Sequence, residues 1–218
     1  LLANWQIVWY NEQEDFLTAE RKQIMKLQAE QLRAIAQGID RITEEANGFR
    51  FHRFTAEQEA LYRESSPNDF YVKAGATSGV NLAFRTDSRM LTVAVSNSRG
   101  SSRPFGFVDL EVDGEFRAHI GSAENGIGLF GGSVDLGEGM KTVRLYFPQL
   151  VASELRELSL DDGAVVEPTA ASRRMLIFGD SITQGYDAKY PSHCYAMRLA
   201  RLLDADARNK GIGGEKFF

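Results

Sequence analysis

Leu176-Ile177-Phe178-Gly179-Asp180-Ser181-Ile182-Thr183-Gln184-Gly185-Tyr186 is the stretch on which the reading of this chain turns. An apolar run, Met175 to Phe178, leads into Gly179-Asp180-Ser181, and a helix-compatible segment follows. Continuous apolar residues predict a strand buried on both faces. A serine placed just after such a strand is presented at its carboxyl end, where open α/β sheets place their ligands. Downstream, Tyr190-Pro191-Ser192 opens a helix with Ser192 as its expected N-cap. Tyr195, Leu199, Leu202 and Leu203 give that helix an apolar face. Asn209-Lys210-Gly211-Ile212-Gly213-Gly214 then reads as a strand end running into a glycine turn. Residues 168–218 thus read as one β-α-β unit, entered through a short linker at Pro168 and Ala170-Ala171-Ser172.

Upstream, over residues 49–167, the period changes to two. Val80, Leu82 and Phe84 alternate with Asn81, Ala83 and Arg85. Leu91, Val93 and Val95 do the same, as do Val108, Leu110 and Val112, and Val143, Leu145 and Phe147. Alternation with one polar face predicts half-buried antiparallel strands. Asp113-Gly114 and Asp162-Gly163 are hairpin signals. About eight such strands predict a β-sandwich of jelly-roll type, with Val93, Val95, Leu110, Val112, Leu145 and Phe147 facing its core.

Residues 1–48 read differently again. From Asp15 onward Glu, Gln, Lys, Arg, Ala and Leu dominate, all good helix formers. Met25, Leu32, Ile39 and Ala46 recur every seven residues, with Ile35 and Ile42 between them. This predicts one long N-terminal helix, stopped at Asn47-Gly48. It would either pack on its own domain or pair with a second copy as a homo-oligomer contact.

Composition narrows the function. Of 218 residues 43% are apolar, and 14 are Phe, so a real core is available. The formal net charge is −5, from 25 basic and 30 acidic residues. That balance lacks the basic excess that nucleic acid demands. No apolar stretch approaches the ~20 residues of a membrane span. Cys194 is the single cysteine, so no internal disulfide framework exists. With no visible signal peptide, this fits a cytoplasmic location.

A Gly-Asp-Ser tripeptide is by itself weak, since a serine there also serves as an ordinary helix cap. The wider constellation is stronger. Gly179-Asp180-Ser181-Ile182-Thr183-Gln184-Gly185, the helix after Tyr190-Pro191, and the Asn209 to Gly214 segment together resemble the SGNH (GDSL) hydrolases. The likeness is close over about residues 175–218. It implies that Ser181 is the nucleophile, and that the backbone N–H groups of Ser181 and Gly214 are two of three oxyanion donors. It implies supporting roles for Gly179 and for Asp180, the latter as a loop organiser. A looser likeness covers Phe51-His52-Arg53-Phe54-Thr55, Ala76-Thr77-Ser78-Gly79-Val80 and Phe84-Arg85-Thr86-Asp87-Ser88. These resemble the N-terminal jelly roll of two-domain bacterial esterases that act on carbohydrates. No metal or organic cofactor is implied; the implied partner is a small-molecule or carbohydrate ester.

The same resemblance exposes a gap. The family completes its site with an Asn in a Gly-x-Asn-Asp segment and a C-terminal Asp-x-x-His, and neither can be placed in this sequence. Only His52, His119 and His193 exist. His52 is expected before the sandwich and His119 on a strand, both as packing or surface residues. His193, at the start of the helix, is the nearest candidate for a substitute base. The expectation is a serine esterase whose catalytic Asp and His lie outside this chain, as a fragment of a longer protein or half of a split assembly. The alternative is a binding module that carries a hydrolase remnant.

Overall fold

The computed structural model describes residues 24–215. Within it, β1 (Ile24–Lys26), α1 (Ala29–Ile35), β2 (Ala36–Gln37), β3 (Arg41–Glu45) and β4 (Gly48–His52) come first. Two helices follow, α2 (Ala56–Ser65) and α3 (Phe70–Ala74). The main strands are β5 (Asn81–Thr86), β6 (Met90–Arg99), β7 (Gly106–Val112), β8 (Glu115–Ser122), β9 (Gly128–Asp135), β10 (Lys141–Tyr146) and β11 (Val151–Asp161), with the short β12 (Glu167–Pro168) behind them. Last come β13 (Arg173–Ile177), α4 (Ser181–Gln184), a 3₁₀ turn at Pro191–His193, α5 (Tyr195–Leu202) and β14 (Ala205–Asn209).

Two antiparallel sheets make a β-sandwich. One has the order β3-β4-β11-β6-β9, with β1 on β11; the other has β12-β5-β10-β7-β8, with β2 on β5. The chain passes from one sheet to the other at nearly every connection. Only β3–β4 and β7–β8 stay together as hairpins. The inner faces meet in one core. Leu82, Phe84, Leu110, Val112, Val143 and Leu145 come from one side, and Leu91, Val93, Val95, Leu155 and Leu158 from the other. All six residues expected in this core are buried. Period-two alternation works here because each strand has a single core-facing side.

The β7–β8 turn is built as its sequence demands: Asp113 and Gly114 take φ of 51° and 82°, the left-handed pair of a tight hairpin. Asp162-Gly163 turns the chain as well, but the strand that follows, β12, pairs with β5 of the opposite sheet, so no hairpin forms there.

The long N-terminal helix is a correction. Its first part, from Asp15, lies outside the described residues. From Ile24 onward the chain forms strand, seven-residue helix, strand and hairpin instead. Leu32 and Ile35 are buried on α1, while Met25, Ile39 and Ile42 pack on the same core from other elements. The stripe is therefore real at Met25, Leu32, Ile35, Ile39 and Ile42, supplied by strands, a short helix and a loop, while Ala46 is exposed in the β3–β4 turn. Helix α1 stops because Ala36–Gln37 pairs with β5, and because Gly38 then turns at φ 75° beneath Gly79. A Cβ at Gly38 would sit 2.3 Å from the Gly79 carbonyl oxygen. Asn47-Gly48, expected to end a helix, closes the β3–β4 hairpin. Tertiary pairing overrides helix propensity worth only tenths of a kcal/mol per residue. An oligomer contact through that helix loses its basis over the described residues. His52 is likewise inside β4 rather than before the sandwich.

Strands β13 and β14 form a separate two-stranded parallel sheet, in register from Arg173↔Ala205 to Ile177↔Asn209. Helix α5 crosses it, and Ala196, Met197, Ala200, Ala207 and Cys194 make a second small core with Tyr146 of the sandwich. Two expectations change here. Strand β13 is not buried on both faces: Met175 and Ile177 pack inward while Leu176 is 52% exposed. On α5 the expected apolar face is the outer one, with Leu202 82% exposed, and Ala196, Met197 and Ala200 face in. Among the described residues no helix is long and apolar enough to cross a membrane.

Candidate active site

Ser181 starts α4 four residues beyond the end of β13, and Gly214 lies five residues beyond the end of β14. Since the two strands are parallel neighbours, both loops leave from the same edge of the sheet. Hydrogen bonds then tie loop to loop. Lys210 N–H donates to Ile177 O at 2.7 Å, and Ile212 N–H to Gly179 O at 3.1 Å. Asn209 Nδ2 donates to Thr183 O at 2.7 Å, and Asn209 Oδ1 accepts from Gly211 N–H at 2.9 Å. The fully buried Gln184 side chain accepts from Gly213 N–H at 2.7 Å.

Asp180 is the N-cap of α4: its carboxylate accepts from Ile182 N–H at 3.0 Å, as a helix start requires. Gly179 leaves no room for a side chain, since a Cβ there would lie 1.9 Å from Thr183 Oγ1. Gly214 sits at φ 87°, left-handed backbone that glycine adopts without strain. Among the described residues neither the Ser181 N–H nor the Gly214 N–H donates to a backbone acceptor. The Ser181 hydroxyl also makes no hydrogen bond there, and Ser181 is half-buried.

The histidines are elsewhere occupied. His52 is buried between Thr43 Oγ1 and Glu59, at 2.9 and 2.8 Å. His119 lies on β8, holds Asp109 at 2.6 Å and stacks flat on Tyr190. His193 is exposed and stands edge-on to Tyr190. None of the three is hydrogen-bonded to Ser181 among the described residues. Ser192, expected as the α5 cap, instead donates both N–H and O–H to Asp109, and α5 begins at Tyr195. No group of three or more His, Cys, Asp or Glu suited to a metal ion occurs among the described residues.

Sequence reasoning missed how much of the site belongs to the sandwich. Arg53, just past β4, is fully buried. Its guanidinium donates to Ala76 O at 2.6 Å, Lys73 O at 3.0 Å, Asn209 O at 2.8 Å and Gly211 O at 3.1 Å. Burial pulls its pKa down to about 10, against the raising influence of Tyr62, Glu59 and Glu215. Ser78 donates to Gln184 O at 2.6 Å and accepts from Asn209 Nδ2 at 3.0 Å. Lys210 donates to Arg53 O, and burial holds its ammonium pKa down. Lys73 of α3 donates to Gly213 O at 2.7 Å. The second anchor is the outer face of β7, where buried Asp109 takes Ser192 and buried Glu111 takes Arg201 and Tyr146. Charged residues at alternate positions of a sheet's outer face look like solvated ones in a sequence. Here the β-α-β unit covers them.

No protein-family profile matches the sequence, and no curated protein matches it. Solved structures do. A salicylyl-acyltransferase from a tetracycline biosynthetic pathway superposes with a TM-score of 0.71 at 25% identity, over 89% of this chain and 55% of its own. A GDSL-like lipase from Bacteroides ovatus gives 0.66 at 20% identity, over 88% and 58%. A family two carbohydrate esterase from Cellvibrio japonicus gives 0.55 at 16%, over 88% and 53%, a likeness of fold alone. The chain spans little more than half the length of these proteins. Over nearly all of its own length, this chain is similar in structure to SGNH/GDSL-like acyltransferases, lipases and carbohydrate esterases.

Proposed function

We propose that this chain carries the nucleophile and two oxyanion donors of an SGNH-type serine ester hydrolase. In this reading Ser181 is the nucleophile, and its N–H and that of Gly214 receive the oxyanion. The observation that carries it is the junction of the two loops at one end of β13 and β14, with both N–H groups free of backbone acceptors among the described residues. Residues outside the 218 supply the base, a His oriented by an Asp.

The chemistry follows in order. The base takes the Ser181 hydroxyl proton as Oγ bonds to the acyl carbon. The carbonyl electron pair moves onto oxygen, and the two fixed N–H dipoles meet that charge without reorganisation. The tetrahedral intermediate collapses, the alcohol leaves with the proton from the base, and an acyl-serine remains. Water then repeats the sequence and releases the acid. Small acyl esters are the proposed class, with O-acetyl groups on carbohydrates as the first candidates. A salicylyl-acyltransferase among the structural neighbours makes a hydroxyl acceptor in place of water the second substrate to try.

The test is p-nitrophenyl acetate turnover by the full-length protein, by Ser181→Ala and by the 218-residue chain. The full-length protein is expected to turn over, Ser181→Ala to lose that activity, and the short chain to be very slow for want of a base. Robust turnover that survives Ser181→Ala removes the proposal. An inactive full-length protein that still binds an acetylated glycan would favour the binding-module reading.

A further inference from the structure

Helix α3 belongs to the sandwich, yet its Lys73 reaches the candidate oxyanion turn. Lys73 Nζ donates to the Gly213 carbonyl oxygen at 2.7 Å. That carbonyl and the Gly214 N–H belong to one peptide unit. A Cβ built on Gly214 would stand 3.7 Å from Lys73 Nζ and 3.9 Å from Phe70 Cε1, so α3 lines the space beside the donor. The ammonium is held there. Asp69, one turn earlier, pairs with it at 2.6 Å, and the Phe70 ring lies 5.5 Å away. The Lys73 side chain is only 15% exposed, whereas Asp69 is 56% exposed. Water therefore screens the counter-charge more than the lysine's bond to Gly213.

We propose that Lys73 is a positioning residue that polarises the Gly213–Gly214 peptide and so strengthens the Gly214 N–H as an oxyanion donor. The proposal rests on the esterase reading for its catalytic consequence, but not for its physics. A cation on a peptide oxygen draws electron density from the nitrogen, and the N–H of that peptide becomes more acidic. Chains of hydrogen bonds strengthen one another in this way, and a charged donor is about twice as strong as a neutral one. The effect is greatest when the acceptor carries full negative charge, so it favours the tetrahedral intermediate over the bound ester. It also gives the sandwich a share in catalysis that its distance in sequence conceals.

The test uses Lys73→Met, which keeps length and removes charge, and Lys73→Arg, which keeps charge. In the full-length protein, K73M is expected to lower kcat for p-nitrophenyl acetate roughly tenfold, less than the ~100-fold or more for a whole lost donor, with KM within about twofold. The inhibition constant of phenylboronic acid, whose serine adduct mimics the tetrahedral oxyanion, should rise by a similar factor. K73R should keep most of both. Unchanged kcat in K73M, or a fall in kcat with unchanged boronate affinity, overturns the proposal. Independently, the Gly214 amide proton of the 218-residue chain, read by NMR, should move upfield in K73M and stay in place in K73R. An unmoved resonance in a folded K73M overturns the proposal whether or not the protein is an esterase. Turnover that survives Ser181→Ala would sink the esterase reading and leave the NMR result to decide this one.

Discussion

Arg53→Met should be among the most damaging single changes outside the nucleophile. Its guanidinium serves four backbone carbonyls, two in the sandwich region (Lys73, Ala76), one at the end of β14 (Asn209) and one in the turn after it (Gly211). Methionine fills much of the volume but donates nothing. A buried carbonyl left without its donor costs about 1–3 kcal/mol. Against this stands the relief of a buried charge. The pKa of about 10, down from 12.5, puts the cost of keeping Arg53 charged at about 3 kcal/mol. The turn can relax and admit water, so the net loss is expected at about 2–5 kcal/mol, within the range for a broken buried charge network. Urea unfolding of the 218-residue chain, followed by circular dichroism, measures it. Arg53→Lys keeps the charge but has one compact head for four acceptors, and should fall between the two. A loss under about 1 kcal/mol for R53M would refute the idea that this arginine staples the sandwich to the glycine turn. So would a loss of equal size in R53K.

Three further outcomes follow from other parts of the molecule. Leu110→Ala, at a fully buried position of β7, should cost about 2–5 kcal/mol in the same melts; a cost below about 1 kcal/mol would mean that the two sheets do not meet there. Asp180→Ala removes the α4 cap and should cost about 0.5–2 kcal/mol; in the full-length protein it should weaken turnover less than Ser181→Ala, and equal losses would give Asp180 more than an organising role. Burial pushes the Cys194 thiol up to about 12, from 9.0. The folded chain should therefore resist a disulfide reagent at pH 8 and react fully in urea. The raised value also means that unfolding releases a proton above pH 9, so stability should begin to fall there, by up to about 1.4 kcal/mol per pH unit from this group. Rapid labelling of the native chain at pH 8 would contradict its burial.

What the sequence determined by itself is local. Alternation at Val93, Val95, Leu110 and Val112 was enough to place core faces, because a strand has only two sides. Asp113-Gly114 sufficed for its turn, because few residues accept left-handed backbone. The Gly-Asp-Ser run and the glycine turn after Asn209 were legible because tight loops after parallel strands restrict residue type at every step. What only the tertiary structure decided is non-local. Whether Met25, Leu32, Ile39 and Ile42 sat on one helix or on two strands, a short helix and a loop depended on strand partners far away in sequence, such as Leu160 of β11 for Met25 of β1. Whether Leu199 or Ala200 faced inward on α5 depended on what lay beneath it. The roles of Arg53, Lys73, Ser78 and Asp109 were invisible for the same reason. A charged or polar side chain carries no mark of burial in sequence; its meaning comes from the carbonyls and hydroxyls that folding brings to it.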